Sequence, residues 1–84
     1  MTQEEQEKIV QEAKSRYPIG TRFTSSMYPD KNNSDVVKST SFYWWKTSDL
    51  CADSPGGTSV WTNGRWAEIL SKPEPTIINN YQIY

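Results

Sequence analysis

The chain has 84 residues, enough for one small domain over residues 1–84 with a thin core, and 13% of them are aromatic. Its formal net charge is -1, its single cysteine excludes an internal disulfide, and it has no apolar run of the roughly 20 residues that a membrane span requires. Because it has no histidine, it can build neither a Ser-His-Asp nor a Cys-His nucleophile. We therefore expect a cytoplasmic protein that is no enzyme and no membrane protein, with no catalytic residue, no bound metal and no cofactor.

Residues 1–17 predict one amphipathic helix. Thr2 followed by Glu5 matches a capping box, in which each side chain binds the backbone amide of the other residue. Pro18 ends the helix, because it pushes the residue before it out of the α region. The helix has one narrow apolar stripe, formed by Ile9, Val10, Ala13 and Tyr17.

Residues 20–72 are expected to form a β body of about four strands. Residues 21–27 alternate in polarity, and residues 36–46 are rich in β-branched and aromatic residues. Residues 28–35 and 48–59 are dense in Pro, Asn, Asp, Ser and Gly, which predicts loops. The expected fold class is α+β: an N-terminal helix, then a small antiparallel sheet or partly open barrel, then an extended C-terminal strand.

The clearest β signal is Asn63-Gly64 between two alternating runs. Both residues accept the positive φ of a type I′ turn, which makes this pair the strongest local sign of a hairpin. With a two-residue loop, Thr62 pairs with Arg65 and Trp61 pairs with Trp66. We expect the two tryptophans to stack across the hairpin and fix its register.

The segment FYWWK at residues 42–46 alternates faces, with Phe42 and Trp44 on one face and Tyr43 and Trp45 on the other. A thin sheet buries one face more easily than two, so some rings near lysine or arginine are expected to be exposed. Exposed rings beside cations can stack bases and bind phosphates, although aromatics also fill small cores and mark protein interfaces. The candidate nucleic-acid-binding residues are Arg22, Lys38, Trp45, Lys46 and Arg65.

Cys51 is expected to be a structural thiol in the loop at residues 48–59. Asp49 and Asp53 lie beside it in the sequence, and their negative charge raises the pKa of a thiol instead of lowering it. Since one cysteine also cannot hold zinc, we predict no reactive and no metal-binding role.

Residues 73–84 predict a C-terminal arm. Pro73 and Pro75 form a stiff, extended connector. Beyond it, residues 76–84 are expected to form one more strand, which pairs either with a second copy, giving a homodimer by strand exchange, or with its own sheet. The candidate oligomer-interface residues are Ile77, Ile78, Tyr81, Ile83 and Tyr84.

Two motifs, AKSRYPIGTRF at residues 13–23 and NGRWAEI at residues 63–69, resemble a group of short tailed-bacteriophage proteins, including those of crAss-like phages. In that group a helix leads into Tyr-Pro-x-Gly-Thr-x-Phe, and a hairpin strand with Gly-Lys/Arg-Trp-Ala closes the domain. The resemblance implies a phage origin and action in the cytoplasm of an infected bacterium. It brings no known activity and no catalytic residue.

Two functions of different classes fit these patterns. Residues 1–15 carry four Glu against two Lys, whereas residues 16–72 carry seven Lys and Arg against five Asp and Glu. A mildly basic body permits nucleic-acid binding but falls short of a strongly basic surface. The first function is a non-catalytic DNA-binding accessory protein, with DNA favoured over RNA. The second is an interaction module for a host or phage protein, and a small-molecule binder or an enzyme is the remaining alternative.

Overall fold

In the computed structural model, which describes residues 1–53 and 57–73, one helix is followed by two small antiparallel sheets. The helix, α1, spans Gln3–Arg16, and the strands are β1 (Arg22–Thr24), β2 (Ser34–Val36), β3 (Phe42–Lys46), β4 (Asp49–Ala52), β5 (Ser59–Thr62), β6 (Arg65–Trp66) and β7 (Ile69–Ser71). The predicted α+β fold is confirmed. The expectation of about four strands is wrong, because the described residues form seven short strands, and their two sheets do not close into a barrel.

Helix α1 begins and ends as the sequence predicts. The Thr2 amide donates to Glu5 Oε1 at 2.8 Å, and the Glu5 amide donates to Thr2 Oγ1 at 3.1 Å, so the capping box is formed. At the other end Tyr17 caps the helix, and its amide donates to the Ala13 carbonyl at 2.8 Å. Of the predicted stripe, Ala13 and Tyr17 are buried and Ile9 and Val10 pack against the core. Among the described residues, no helix has the length and apolar character of a membrane span.

The two sheets share one apolar core with α1. The first sheet has the order β2-β1-β7 and the second the order β3-β4-β5-β6. Side chains from the helix, from β1 and from the second sheet belong to the same buried cluster, which includes Ala13, Tyr17, Phe23, Leu50 and Val60. The expected single sheet is therefore replaced by two short ones, and neither is large enough to bury a core alone.

Residues 48–59 contain a strand where the composition predicts a loop. Strand β4 lies between β3 and β5, and all four of its residues are buried. The loop prediction is wrong because a central strand gains hydrogen bonds on both sides and burial from its neighbours, neither of which local composition reports. At its end the Ala52 amide donates to the Thr58 carbonyl at 3.0 Å.

The chain that follows β1 connects the first sheet to the second. Only Arg22–Thr24 forms a strand, although the alternating run is longer. The Ser26 amide donates to the Ser59 carbonyl at 2.9 Å, and the Ser26 hydroxyl bonds to the Thr62 hydroxyl at 2.8 Å. Side chains from both faces of this run are therefore buried, among them Phe23, Thr24, Ser25 and Ser26.

The hairpin prediction is confirmed in its register and its turn. Trp61 lies opposite Trp66 and Thr62 opposite Arg65, while Asn63 and Gly64 have φ angles of 48° and 86°. The two indole rings meet at 61° with centroids 6.4 Å apart, so their contact is edge-on instead of the stacked one expected.

Tyr17 anchors the end of α1 in the core. Its hydroxyl donates to the Ala67 carbonyl at 2.7 Å, and its ring centroid lies 5.7 Å from that of Phe23 and 6.0 Å from that of Trp66. Burial raises the pKa of the Tyr17 hydroxyl from 10.0 to about 12, because the phenolate would lose its hydration.

We expect the protein to lose stability as the pH rises from 10 toward 12, since the folded state holds the Tyr17 proton more tightly than the unfolded state. The stabilisation is fully present below the unfolded pKa near 10 and is lost as the pH passes the folded pKa of about 12. Urea midpoints measured across this range test the expectation. Tyr17→Phe keeps the ring but has no proton to release, so its midpoint should fall less. The same pH dependence in wild type and Tyr17→Phe would show that deprotonation of Tyr17 does not cause the loss of stability.

Candidate functional site

Strand β3 presents one tryptophan to solvent. Phe42 and Trp44 pack against the core, whereas Tyr43 and Trp45 are exposed by 39% and 54%. The predicted alternation of faces is therefore confirmed. The register of β3 against β4 shifts between Trp44 and Lys46, so Trp45 lies at a bulge. Bulges redirect side chains and interrupt pairing, which places Trp45 apart from the regular ladder.

The other three tryptophans are engaged inside the protein. Trp44 and Trp61 meet edge-on with centroids 5.6 Å apart, and Trp61 in turn contacts Trp66. The Arg16 guanidinium carbon lies 4.5 Å from the Trp66 ring centroid, and Arg16 also pairs with Glu12 at 2.7 Å. Trp45 is therefore the most exposed of the four tryptophans.

A groove of about 580 Å³ runs between the two sheets, and we call it the inter-sheet groove. Trp45 lines one part of it, and Tyr28, which is 66% exposed, lines another. Among the described residues, the lining consists of Ser25, Met27, Tyr28, Asn32, Asn33, Ser34, Asp35, Trp45, Cys51, Gly57, Thr58 and Ser59. Two large exposed rings thus share one concave surface with small hydroxyl and amide side chains.

The inter-sheet groove has little charge. Its lining within the described residues includes no lysine or arginine and one carboxylate, Asp35. That carboxylate already accepts hydrogen bonds from the chain, with the Thr58 hydroxyl on Oδ2 and the Val36 amide on Oδ1, both at 2.8 Å. The groove is therefore suited to an uncharged ligand that offers apolar side chains and backbone amides.

Local hydrogen bonds fix the loop that carries Tyr28. The Ser25 hydroxyl accepts from the amides of Met27 and Tyr28, both at 3.1 Å. Further along, Asp30 Oδ1 accepts from the Asn32 amide at 2.9 Å and starts a short 3₁₀ turn. Sequence reasoning missed Tyr28 because it stands in a polar run with loop composition, and its pairing with Trp45 depends on the relative placement of the two sheets.

The predicted nucleic-acid-binding residues do not form one cluster. Trp45 lines the inter-sheet groove, whereas Arg22 is exposed on β1 and donates to the Ser34 hydroxyl at 3.3 Å. Lys38 lies in the loop after β2, and its backbone amide donates to Asp53 Oδ1 at 2.9 Å. These positions place Arg22 and Lys38 outside the groove lining.

Lys46 and Arg65 lie at the same end of the second sheet. Lys46, Asp49, Thr62 and Arg65 are register partners in one row across β3, β4, β5 and β6. Three strand spacings separate the two cations, a distance of about 14 Å between their backbones. Lys46 follows Trp45 in the chain, whereas Arg65 lies three strands away from Lys46, with the buried Asp49 on a strand between them.

Cys51 belongs to β4 and not to a loop, but the expected pKa direction is confirmed. Burial raises the pKa of the Cys51 thiol, and the neighbouring Asp49 carboxylate raises it further. A thiol of raised pKa is a poor nucleophile at neutral pH. In the described ranges, no three His, Cys, Asp or Glu side chains are grouped as metal ligands.

A second groove, of about 640 Å³, lies between Trp44 and the first turns of α1. Glu4, Glu7 and Lys8 contribute to its lining. Apart from Pro73, the predicted C-terminal arm lies outside the described residues, and so do all of its interface residues from Ile77 to Tyr84.

The two motifs of the phage resemblance occupy defined places in the fold. Residues 17–23 lead from the end of α1 into β1, and residues 63–69 lead from the hairpin turn into β7. The order of helix, strand and closing hairpin is the order that the resemblance implies, while membership of that group stays a prediction. No protein-family model matches the chain, and no curated protein or solved structure is significantly similar to it.

Proposed function

We propose that the protein is a non-catalytic protein-binding module and that the inter-sheet groove is its binding surface. The observation behind this proposal is the pair of exposed rings, Tyr28 and Trp45, in a groove that the described residues line without any cation. Exposed aromatic area is stabilised when a partner covers it, and Trp and Tyr dominate the binding energy of many protein interfaces. Binding to a phosphate backbone, by contrast, draws most of its affinity from lysine and arginine at the contact surface.

The groove offers complementary groups for an extended peptide. Trp45 and Tyr28 provide apolar area for one or two side chains of a peptide. Met27 also lines the groove, and its flexible side chain can adjust to peptide side chains of different shape. The amide side chains of Asn32 and Asn33 can donate to and accept from a peptide backbone. Apolar anchors with a few polar groups are the usual composition of an orienting binding site.

Replacing Trp45 with alanine is expected to weaken peptide binding by about 30-fold, which corresponds to about 2 kcal/mol. Peptides are first selected on the wild-type protein from a library of random sequences, and their affinities are then measured by calorimetry. Tyr43→Ala is the matched control, because Tyr43 is exposed on the same strand but does not line the groove. Its affinity should stay within about twofold of wild type.

Two results would count against the groove as a binding surface. The first is a failure to select any peptide both on the folded wild-type protein and on a full-length variant whose own segment at residues 76–84 is disabled by Ile77→Asp with Ile83→Asp. The second is selected peptides that bind Trp45→Ala as tightly as wild type. Affinity should also change little between low and high salt, since a neutral apolar contact releases few counterions.

DNA binding is the second candidate function, and one observation favours it. Lys46 and Arg65 are exposed at the same end of the second sheet, and the exposed Trp45 precedes Lys46 in the chain. One cation next to an open ring and a second about 14 Å across the sheet could bind phosphates while the ring stacks on a base.

For this second candidate, replacing Lys46 and Arg65 together with glutamate is expected to abolish DNA retention and leave the fold intact. Gel shifts with single-stranded and duplex DNA at two salt concentrations measure the effect. The control is Lys8→Glu with Lys14→Glu, which changes the net charge equally on exposed positions of α1. Equal retention by the two double variants would show that DNA follows net charge and not this pair.

For either candidate, we propose that the protein acts in the cytoplasm of an infected bacterium. Support comes from the two motifs shared with short tailed-phage proteins. The partner is then a host or phage protein for the first candidate and DNA for the second.

A further inference from the structure

We propose that the inter-sheet groove accepts residues 76–84 of a second copy of the chain, so that two copies exchange their C-terminal segments. This inference rests on the proposed protein-binding role of the groove and names its partner. Three features favour this occupant: the direction in which the described chain ends, the stiffness of the connector that follows, and the uncharged, apolar side chains of the segment.

The chain leaves the first sheet at the end remote from the groove. Strand β1 runs from Gly20 toward Ser25, which lines the groove, and β7 runs antiparallel beside it. The last described residue, Pro73, lies against Gly20: its Cβ is 2.9 Å from where a Cβ on Gly20 would stand. At this point the backbone is therefore directed away from the groove of its own copy.

The connector disfavours a return to the same groove. Pro73 and Pro75 each have a fixed φ, and the residue before a proline is restricted to extended conformations. A tight reversal is therefore unfavourable within these residues. The nine residues beyond them span at most about 30 Å when fully extended, and a wide reversal would use part of that length. A groove on a second copy needs no reversal.

The segment matches the groove in charge and in side-chain type. Residues 76–84 have no charged side chain, and the described part of the groove lining has a single carboxylate, which is already hydrogen-bonded. The segment brings three isoleucines and two tyrosines, which is apolar area of the kind that Trp45 and Tyr28 can cover. Its Asn and Gln side chains suit the amides of Asn32 and Asn33.

Exchange between two copies is reciprocal, so each dimer contains two identical groove–segment contacts. This symmetry allows a complementation experiment with full-length proteins. One variant, Tyr28→Ala with Trp45→Ala, removes the groove anchors and keeps the segment. The other, Ile77→Asp with Ile83→Asp, disables the segment and keeps the groove. A mixture of the two forms a heterodimer with one intact contact, which neither variant can form alone.

Sedimentation equilibrium at micromolar concentration measures the dimer, and circular dichroism verifies that each variant is folded. We expect wild type to be dimeric, each variant to dimerise at least tenfold more weakly, and the equimolar mixture to recover heterodimer. A monomeric wild type overturns the inference, as does a segment variant that dimerises like wild type, or a mixture that recovers nothing. If either variant fails to fold, the synthetic peptide of residues 76–84 is added to wild type instead. The inference requires the peptide to displace the segment of the second copy and convert dimer to monomer, and an unchanged dimer overturns it.

The failure of this inference can be told apart from failure of the proposed function. A wild-type monomer that still binds library-selected peptides through Trp45 has a protein-binding groove with a different occupant. A second possibility is a monomer whose segment lies in its own groove and covers Trp45. In that case Trp45 fluorescence is quenched more strongly in the segment variant than in wild type, because the disabled segment no longer covers the ring. If no peptide of any kind binds at Trp45, the proposed function fails as well.

Discussion

Replacing Leu50 with alanine is expected to lower the free energy of unfolding by about 2–5 kcal/mol. Leu50 is fully buried in the centre of β4, with Trp44 and Trp61 as its register partners on either side. Truncating it removes contacts with both neighbouring strands and leaves a cavity between large rings that cannot easily collapse. Urea denaturation followed by tryptophan fluorescence measures the loss.

Thr47→Ala is the control for this prediction, because Thr47 lies in the exposed turn between β3 and β4. Thr47→Ala should change the free energy of unfolding by no more than about 0.5 kcal/mol. A Leu50→Ala protein that is as stable as Thr47→Ala would show that residues 49–52 form a loop, as their composition suggests, and not the central strand.

Replacing Phe23 with alanine is expected to cost about 3–5 kcal/mol and to destabilise both sheets together. Phe23 is fully buried on β1 in the first sheet, with its ring against Tyr17, whereas all four tryptophans lie in the second sheet. Since one core joins the sheets, the fluorescence of the second sheet should report the loss of a side chain in the first. For a small domain of roughly 5–10 kcal/mol total stability, this change leaves the folded state marginal.

Ile19→Ala provides a matched apolar deletion at a position that is 55% exposed. It should cost far less than Phe23→Ala, because little area is returned to water. If Phe23→Ala shifted the transition seen by circular dichroism and left the fluorescence transition in place, the two sheets would unfold independently and the shared core would be disproved.

The helix and the hairpin could be predicted from the sequence because their determinants are local. The Thr2 and Glu5 side chains that start α1 stand three positions apart, and Asn63-Gly64 supplies both positive φ angles of its turn. Each signal lies within a few residues of the structure it produces. Prediction therefore succeeded where no distant partner was needed.

The division into two sheets could not be predicted, because it depends on contacts between distant residues. Strand β4 includes a buried aspartate and an alanine, neither of which favours a strand, and it forms because β3 and β5 lie on both sides. Among the described residues, three of the five strand pairings also shift register at a bulge or irregularity. Bulges alter which residues face the core, so alternation in the sequence does not extend across them.

The candidate site, too, could be predicted from the sequence only where its determinants are local. Alternation in β3 was sufficient to predict that Trp44 and Trp45 lie on opposite faces, and the structure shows that Trp45 is the exposed one. The groove itself requires Tyr28, which reaches it from a loop seventeen positions earlier in the chain. The sequence also predicted that Lys46 and Arg65 act beside tryptophans on their strands, and the structure places both outside the groove lining.

Peptide binding in the inter-sheet groove is observed most directly through the four indole N–H signals in an NMR spectrum, recorded before and after a library-selected peptide is added. If the inter-sheet groove is the binding surface, the Trp45 signal shifts together with the side-chain amide signal of Asn33, and the signals of Trp44, Trp61 and Trp66 stay unchanged. Shifts at Trp44 with an unchanged Trp45 would place the peptide against the helix and contradict the account.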